Sequence, residues 1–162
     1  MGLFSFLKNA GAKIFDKKKD APSPDEAKSK QAENLEKHRA FLLRQVVLAL
    51  NIEVKDLEVE MNGETATVKG EVESQADREK IVLAVGNVEG VAQVDDQMTV
   101  VNPEPEAIFH TVESGDSLSK IAKKYYGNAM RYPEIFEANK PMLKSADLIY
   151  PGQVLRIPQD DK

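Results

Sequence analysis

The sequence predicts an α+β protein: two small domains behind a short amphipathic arm at the N-terminus. Three observations carry this reading. Residues 57–72 alternate apolar and polar side chains around Asn62-Gly63, the strongest short hairpin signal. Residues 109–158 read strand, helix, helix, strand. Between the two units lies Asn102-Pro103-Glu104-Pro105-Glu106, a stiff linker. The boundaries this implies are an arm and polar linker over 1–30, a first domain over 31–101, a linker over 102–106 and a second domain over 107–158.

The N-terminal arm places Leu3, Phe4, Phe6, Leu7, Ala10, Ile14 and Phe15 at roughly helical spacing, with Gly11 interrupting or capping a short helix. Such an arm docks on a neighbouring domain or lies on a membrane surface. Its charge asymmetry is weak, because Asp16 and Asp20 flank Lys17-Lys18-Lys19, and docking is the better reading. Residues 16–30 are rich in Lys, Asp, Ser and Pro and read as a linker.

A helix is expected from about Gln31 to Leu50. Leu35, Arg39, Leu42, Val46 and Ala49 trace its buried side, with Phe41, Leu43 and Leu50 beside them. In the hairpin, Leu57, Val59 and Met61 alternate with acids, and Ala66, Val68, Gly70 and Val72 line the return strand. Ser74 with Asp77 opens a second helix in capping-box style. Ile81, Val82, Ala84 and Val85 form its apolar face, and Gly86 ends it. Val91 to Val101 is a third strand, with Val94, Met98 and Val100 turned inward.

In the second domain, Phe109 to Glu113 alternates as a short strand. Gly115-Asp116 breaks it, and Asp116 or Ser117 caps a helix whose face is Leu118, Ile121, Ala122 and Tyr125. Gly127-Asn128 stops that helix. Tyr132, Ile135, Phe136 and Asn139 mark another, with Pro133 in its first turn and Pro141 beyond its end. Ile149 to Gln153 turns the chain into a closing strand, Val154 to Pro158.

Composition excludes several classes. The 162 residues are 30% charged and 41% hydrophobic, as in soluble globular proteins. Net charge is −5 and the pI about 5.2, which disfavours nucleic acid as a partner. The absence of cysteine removes disulfides, zinc–thiolate sites and thiol nucleophiles. No run has transmembrane length. The N-terminus lacks a continuous apolar core with a cleavage site, so no signal peptide is expected. Phe6 stands where a myristoylation motif needs Ser or Thr. These absences point to the cytoplasm.

Val112, Ser114-Gly115-Asp116-Ser117-Leu118, Ile121-Ala122, Tyr125, Asn139, Ile149, Pro151-Gly152-Gln153 and Leu155-Arg156-Ile157-Pro158 resemble the LysM module, a small βααβ fold that binds peptidoglycan or chitin. The resemblance maps its sugar groove to Gly115–Leu118 and Leu148–Tyr150. Residues 31–101 resemble a BON domain (αββαβ), most recognisably in Val85-Gly86-Asn87-Val88-Glu89-Gly90-Val91, with Val94-Asp95-Asp96 following. One BON domain followed by one LysM module, behind a Met-Gly-Leu-Phe arm, is similar to the small cytoplasmic bacterial BON–LysM proteins described as potassium-binding proteins. The resemblance spans the arm, Val82–Val94 and Asn139–Pro158.

No catalytic constellation is legible, and an enzyme is not expected. His38 and His110 are far apart in sequence and read as surface or packing residues. The serines at 114, 117 and 119 lack an activating motif. Asp95-Asp96 reads as a solvated strand face. There is no EF-hand loop and no phosphate-cradling glycine loop.

Helix-end carbonyls offer a cation site of another kind. Helices leave their last carbonyls unpartnered, at the negative end of the dipole. Glycine marks two such ends here, in the arm near Gly11 and at Gly86. If the arm docks beside the loop after Gly86, carbonyls of Leu7, Ala10 and Ala12 can meet those of Gly86, Val88 and Val91. Uncharged oxygens suit a large monovalent ion, whereas Mg²⁺ and Ca²⁺ usually recruit carboxylates. Helix-ending glycines are common, so spacing alone does not select an ion site. The family resemblance is what implies K⁺, with Rb⁺ or Cs⁺ as relatives in size. The expected protein is a monomeric K⁺ sensor or buffer whose arm and domains close around the ion. The LysM groove leaves a glycan or protein partner open, and no nucleic acid or membrane is expected. The rival readings are an envelope glycan adaptor acting through LysM and a lipid-associating BON protein.

Overall fold

The computed structural model describes residues 2–6 and 28–159. The first unit is a four-stranded sheet with two helices against it. Its elements are β1 (Gly2–Ser5), α1 (Lys28–Leu48), β2 (Val54–Asn62), β3 (Thr65–Ser74), α2 (Gln75–Gly86) and β4 (Gln93–Asn102). The strand order is β1-β4-β3-β2. β2 and β3 form the hairpin; its loop is Gly63-Glu64, one residue later than the Asn62-Gly63 dipeptide suggests. Gly63 leads with φ 61°, a conformation that glycine adopts without steric cost. β3 and β4 run parallel, Thr65 opposite Gln93, so the chain crosses over through α2. Ser74 caps α2 by accepting the Asp77 N–H at 3.1 Å.

The arm departs from expectation. Its first residues form a strand, not a helix, and pair antiparallel with β4, Leu3 opposite Asp95 and Phe4 opposite Val94. An open sheet edge offers unpaired N–H and C=O groups, and an extended segment satisfies them. Phe4 and Phe6 then fall on one face at a spacing of two, which so short an apolar run does not distinguish from a helical spacing. The helix expected around Leu7–Phe15 lies outside the described residues.

A second correction concerns α1. Leu43 and Val47 are fully buried, Phe41 is 56% exposed, and Ala49 is exposed. The inward ridge is one residue round from the Leu42–Val46–Ala49 line. Apolar residues come in adjacent pairs here, so periodicity does not choose between neighbouring ridges.

The second unit consists of β5 (Ile108–Thr111), α3 (Leu118–Tyr126), a 3₁₀ turn at Ala129–Arg131, α4 (Tyr132–Ala138) and β6 (Val154–Ile157). β5 and β6 pair antiparallel. Ser117 caps α3 by accepting the Lys120 N–H, and Gly127 ends it in the left-handed conformation. Leu118, Ile121, Ala122, Ile135, Leu143, Leu155 and Ile157 form this unit's core.

The two cores touch. Val154 of β6 is buried in the core of the first unit, and Met142 packs on both. β6 therefore faces its own helices with Leu155 and Ile157 and faces α2 with Val154.

Candidate cation site at the end of α2

α2 ends on Gly86, and the chain turns through Asn87–Ala92 into β4. Asn87 caps the helix, its N–H donating to the Leu83 carbonyl at 2.9 Å. The Val88 N–H donates to Val85 at 3.2 Å and the Val91 N–H to Val88 at 3.1 Å. The hairpin anchors the far end of the turn, since Glu64 accepts the Ala92 N–H at 2.9 Å. Gly86, Val88 and Val91 are all buried. A buried carbonyl needs a partner. Val88 has spent one lone pair on Val91. Among the described residues no backbone N–H donates to the Gly86 or Val91 carbonyls.

The arm arrives at this turn. The Phe6 N–H donates to the Ala92 carbonyl at 2.7 Å, extending the β1 pairing by one bond. The Phe6 ring lies over Gly86 so closely that a Cβ there would sit 2.1 Å from Phe6 Cζ. Glycine at 86 is required by this close approach. Of the six carbonyl residues named from sequence, Gly86, Val88 and Val91 therefore share one buried turn. Leu7, Ala10 and Ala12 lie outside the described residues. The next residue after Phe6 is Leu7.

Asn87 also ties this turn to the second unit. Its Nδ2 donates to the Val154 carbonyl and its Oδ1 accepts the Val154 N–H, both at 2.9 Å. The side chain thus completes the free edge of β6 as a neighbouring strand would. Asn139 does the same two residues on, accepting the Arg156 N–H at 2.8 Å and donating to its carbonyl at 2.9 Å. One turn of α2 earlier than Leu83, Glu79 is only 4% exposed. Its Oε1 accepts from Arg156 Nε at 3.2 Å and Nη2 at 2.9 Å, and its Oε2 accepts the Ala107 N–H at 2.9 Å. Phe4 and Phe109 close the same side with ring centroids 5.2 Å apart. Sequence reading missed this set, because its partners lie 67 and 77 residues apart and give no local signal.

Other sequence candidates resolve as follows. Asp96 is not on a solvated face: it is 1% exposed, paired with Arg78, and accepts the Met98 N–H at 3.0 Å. Arg78 stands on the α2 face that covers β4, so it neutralises the acid there. His110 is buried between Tyr125 Oη at 2.8 Å and Asp116 Oδ2 at 3.0 Å. Asp116 also accepts the Glu113 N–H at 2.9 Å. That backbone bond, then the His110 bond, holds its carboxyl below the usual carboxylate range. The loop at Gly115–Leu118 is further fixed by Lys120 Nζ donating to the Gly115 carbonyl at 3.0 Å. In the second loop that the resemblance assigns to the groove, Leu148 is 62% exposed, and burial raises the pKa of the Tyr150 hydroxyl. Among the described residues no three His, Cys, Asp or Glu side chains converge as a metal cluster, and no helix is long and apolar enough to cross a membrane.

The chain matches the BON domain over residues 36–102 and the LysM domain over residues 110–158. It is 48% identical over 160 residues to the potassium binding protein Kbp of Escherichia coli O6:H1, covering 99% of this chain and 100% of that protein. It is 34% identical over 113 residues to an uncharacterized protein of Deinococcus radiodurans, spanning 63% of this chain and 44% of that one.

Proposed function

This chain belongs to the family of BON–LysM proteins that includes potassium binding protein Kbp, and on that footing we propose that it binds K⁺ as a cytoplasmic sensor or buffer without enzymatic activity. The carrying observation is 48% identity, over nearly the full length of both chains, to a protein named for potassium binding. The Gly86–Val91 turn adds physical support: the buried residues Gly86, Val88 and Val91 lie where the arm meets the BON sheet, and no described backbone N–H takes up the Gly86 or Val91 carbonyl. In this reading the carbonyls of Gly86, Val88 and Val91 hold the ion from one side. Those of Leu7, Ala10 and Ala12 hold it from the other. Such a cage carries no formal charge and suits a weakly hydrated monovalent ion. Rb⁺ and Cs⁺ should follow K⁺ more closely than Na⁺ does.

Binding would couple to domain arrangement through Asn87. This residue caps the helix that presents the oxygens and pairs with Val154 of the LysM strand. K⁺ that orders the turn would favour the docked LysM position, and mass action would raise the stability of the closed form. Calorimetry on cation-free protein at constant ionic strength tests this. Heat that saturates with K⁺, Rb⁺ and Cs⁺ but weakly with Na⁺ supports it; equal or absent responses to all four oppose it.

A second activity is suggested by the LysM resemblance. Asp116 and Lys120 hold Gly115–Leu118 in place, and Leu148, in the other loop that the resemblance assigns to the sugar groove, is exposed. A glycan would bind there. Pull-down on purified peptidoglycan, lost in Leu148→Asp, checks it.

A further inference from the structure

Beside the N-terminal half of α2, where it meets β1, β4 and the start of β5, lies a cleft of about 210 Å³. We infer that it binds a small organic carboxylate with an apolar body. Its walls are Phe4, Val82 and Phe109. Its polar lining comes from Gln75, Arg78, Glu79 and Asp96, with Glu106 at the rim.

The hydrogen-bond inventory of that lining is one-sided. Asp96 has both oxygens engaged, one by Arg78 Nε and one by the Met98 N–H. Glu79 has both engaged, by Arg156 and by the Ala107 N–H. Both inner carboxylates are therefore engaged. The donors are not. Arg78 spends Nε on Asp96, and among the described residues its two Nη groups meet no acceptor. Gln75 is only 5% exposed, yet its side-chain amide makes no hydrogen bond among the described residues. Its amide atoms open on the cleft rather than being sealed in the core. Gln75 is also the first residue of α2, a helix of 12 residues whose dipole favours an anion at that end.

Those free donors ask for a planar acceptor, and a guanidinium fork fits a carboxylate. The Arg78–Asp96 pair is neutral, so hydrogen bonds and the helix end hold the ligand rather than net charge. The Phe4–Phe109 pair gives an apolar body somewhere to lie. The one oxygen inside without a hydrogen bond is the neutral Gln75 Oε1, a weak partner for a cation; the rim acid, Glu106, is solvated.

Two-dimensional ¹H–¹⁵N NMR of the full chain, with K⁺ held constant, tests this with isovalerate and with the matching amine, 3-methylbutylamine. Isovalerate should shift the Gln75 side-chain amide, Arg78 Nε–H and the Ala107 N–H saturably, and the amine should not. Gln75→Leu keeps helix and volume and should weaken isovalerate binding about tenfold; Gln75→Glu should abolish it. A dispersed spectrum confirms that each variant is folded. No saturable shift, equal shifts with the amine, or unchanged affinity in both variants would overturn the assignment. K⁺ affinity should be the same in all three proteins, so failure here leaves the cation reading intact.

Discussion

Phe6 and Gly86 are in direct contact, ring on α-carbon, with no room for a β-carbon between them. The arm is fixed at the turn by this contact and by the Phe6–Ala92 hydrogen bond. Gly86→Ala must push the ring away. Overpacking a full site costs about 1–3 kcal/mol. If the arm supplies half the cage, K⁺ affinity should fall about tenfold for each 1.4 kcal/mol of lost docking. Titration calorimetry of the variant checks this. Phe6→Ala in the Gly86→Ala background should cost little more, because both changes act on one contact.

Asn87 links the Gly86–Val91 turn to the LysM strand. Asn87→Ala leaves the Val154 N–H and C=O unpaired in a buried place, at a cost of about 1–3 kcal/mol. Thermal unfolding should register that loss. More specifically, the K⁺-induced rise in melting temperature should shrink for signals from LysM and persist for signals from BON.

Glu79 and Arg156 form a buried pair across the domain junction, 5% and 11% exposed at their side chains. Removing one partner of such a pair strands the other and costs about 3–5 kcal/mol. Glu79→Ala should therefore destabilise more than Asn87→Ala. Salt should change the cost little, because a buried pair is weakly screened. Denaturant unfolding at low and high NaCl measures both.

Much of this fold was legible because the signals are local. Ser74 and Ser117 cap helices as their sequences suggest, and Gly127 ends α3 in the conformation glycine favours. The paired Phe4 and Phe6 were ambiguous, since four or five residues fit both a spacing of two and a helical one. The α1 ridge was misplaced for the same kind of reason. Asp96 looked solvated because its partner, Arg78, lies on another element and only the parallel crossover brings them together. The Asn87–Val154 and Glu79–Arg156 contacts depend on how two domains dock, which no periodicity encodes. Of the proposed cage, Gly86, Val88 and Val91 were named from the glycine-bounded turn alone.

Asp116 gives a pH dependence with a defined sign. Its folded carboxyl lies below the ordinary value of 3.8, first through the Glu113 N–H and then through His110. A group depressed in the folded state stabilises above its unfolded value and loses that contribution as pH falls through the folded one. The affected window therefore lies below about pH 3.8. Asp116 is only partly buried, its side chain 23% exposed, so the effect is modest. Asp116→Asn should flatten this part of the acid-unfolding curve, measured by circular dichroism.

The most direct measurement is the backbone ¹³C carbonyl spectrum of cation-free protein titrated with K⁺ and, separately, with Na⁺. Ion coordination by peptide oxygens should shift the carbonyls of Gly86, Val88 and Val91 saturably with K⁺ and far less with Na⁺. Saturable K⁺ binding that leaves these three signals unmoved would contradict the proposed site.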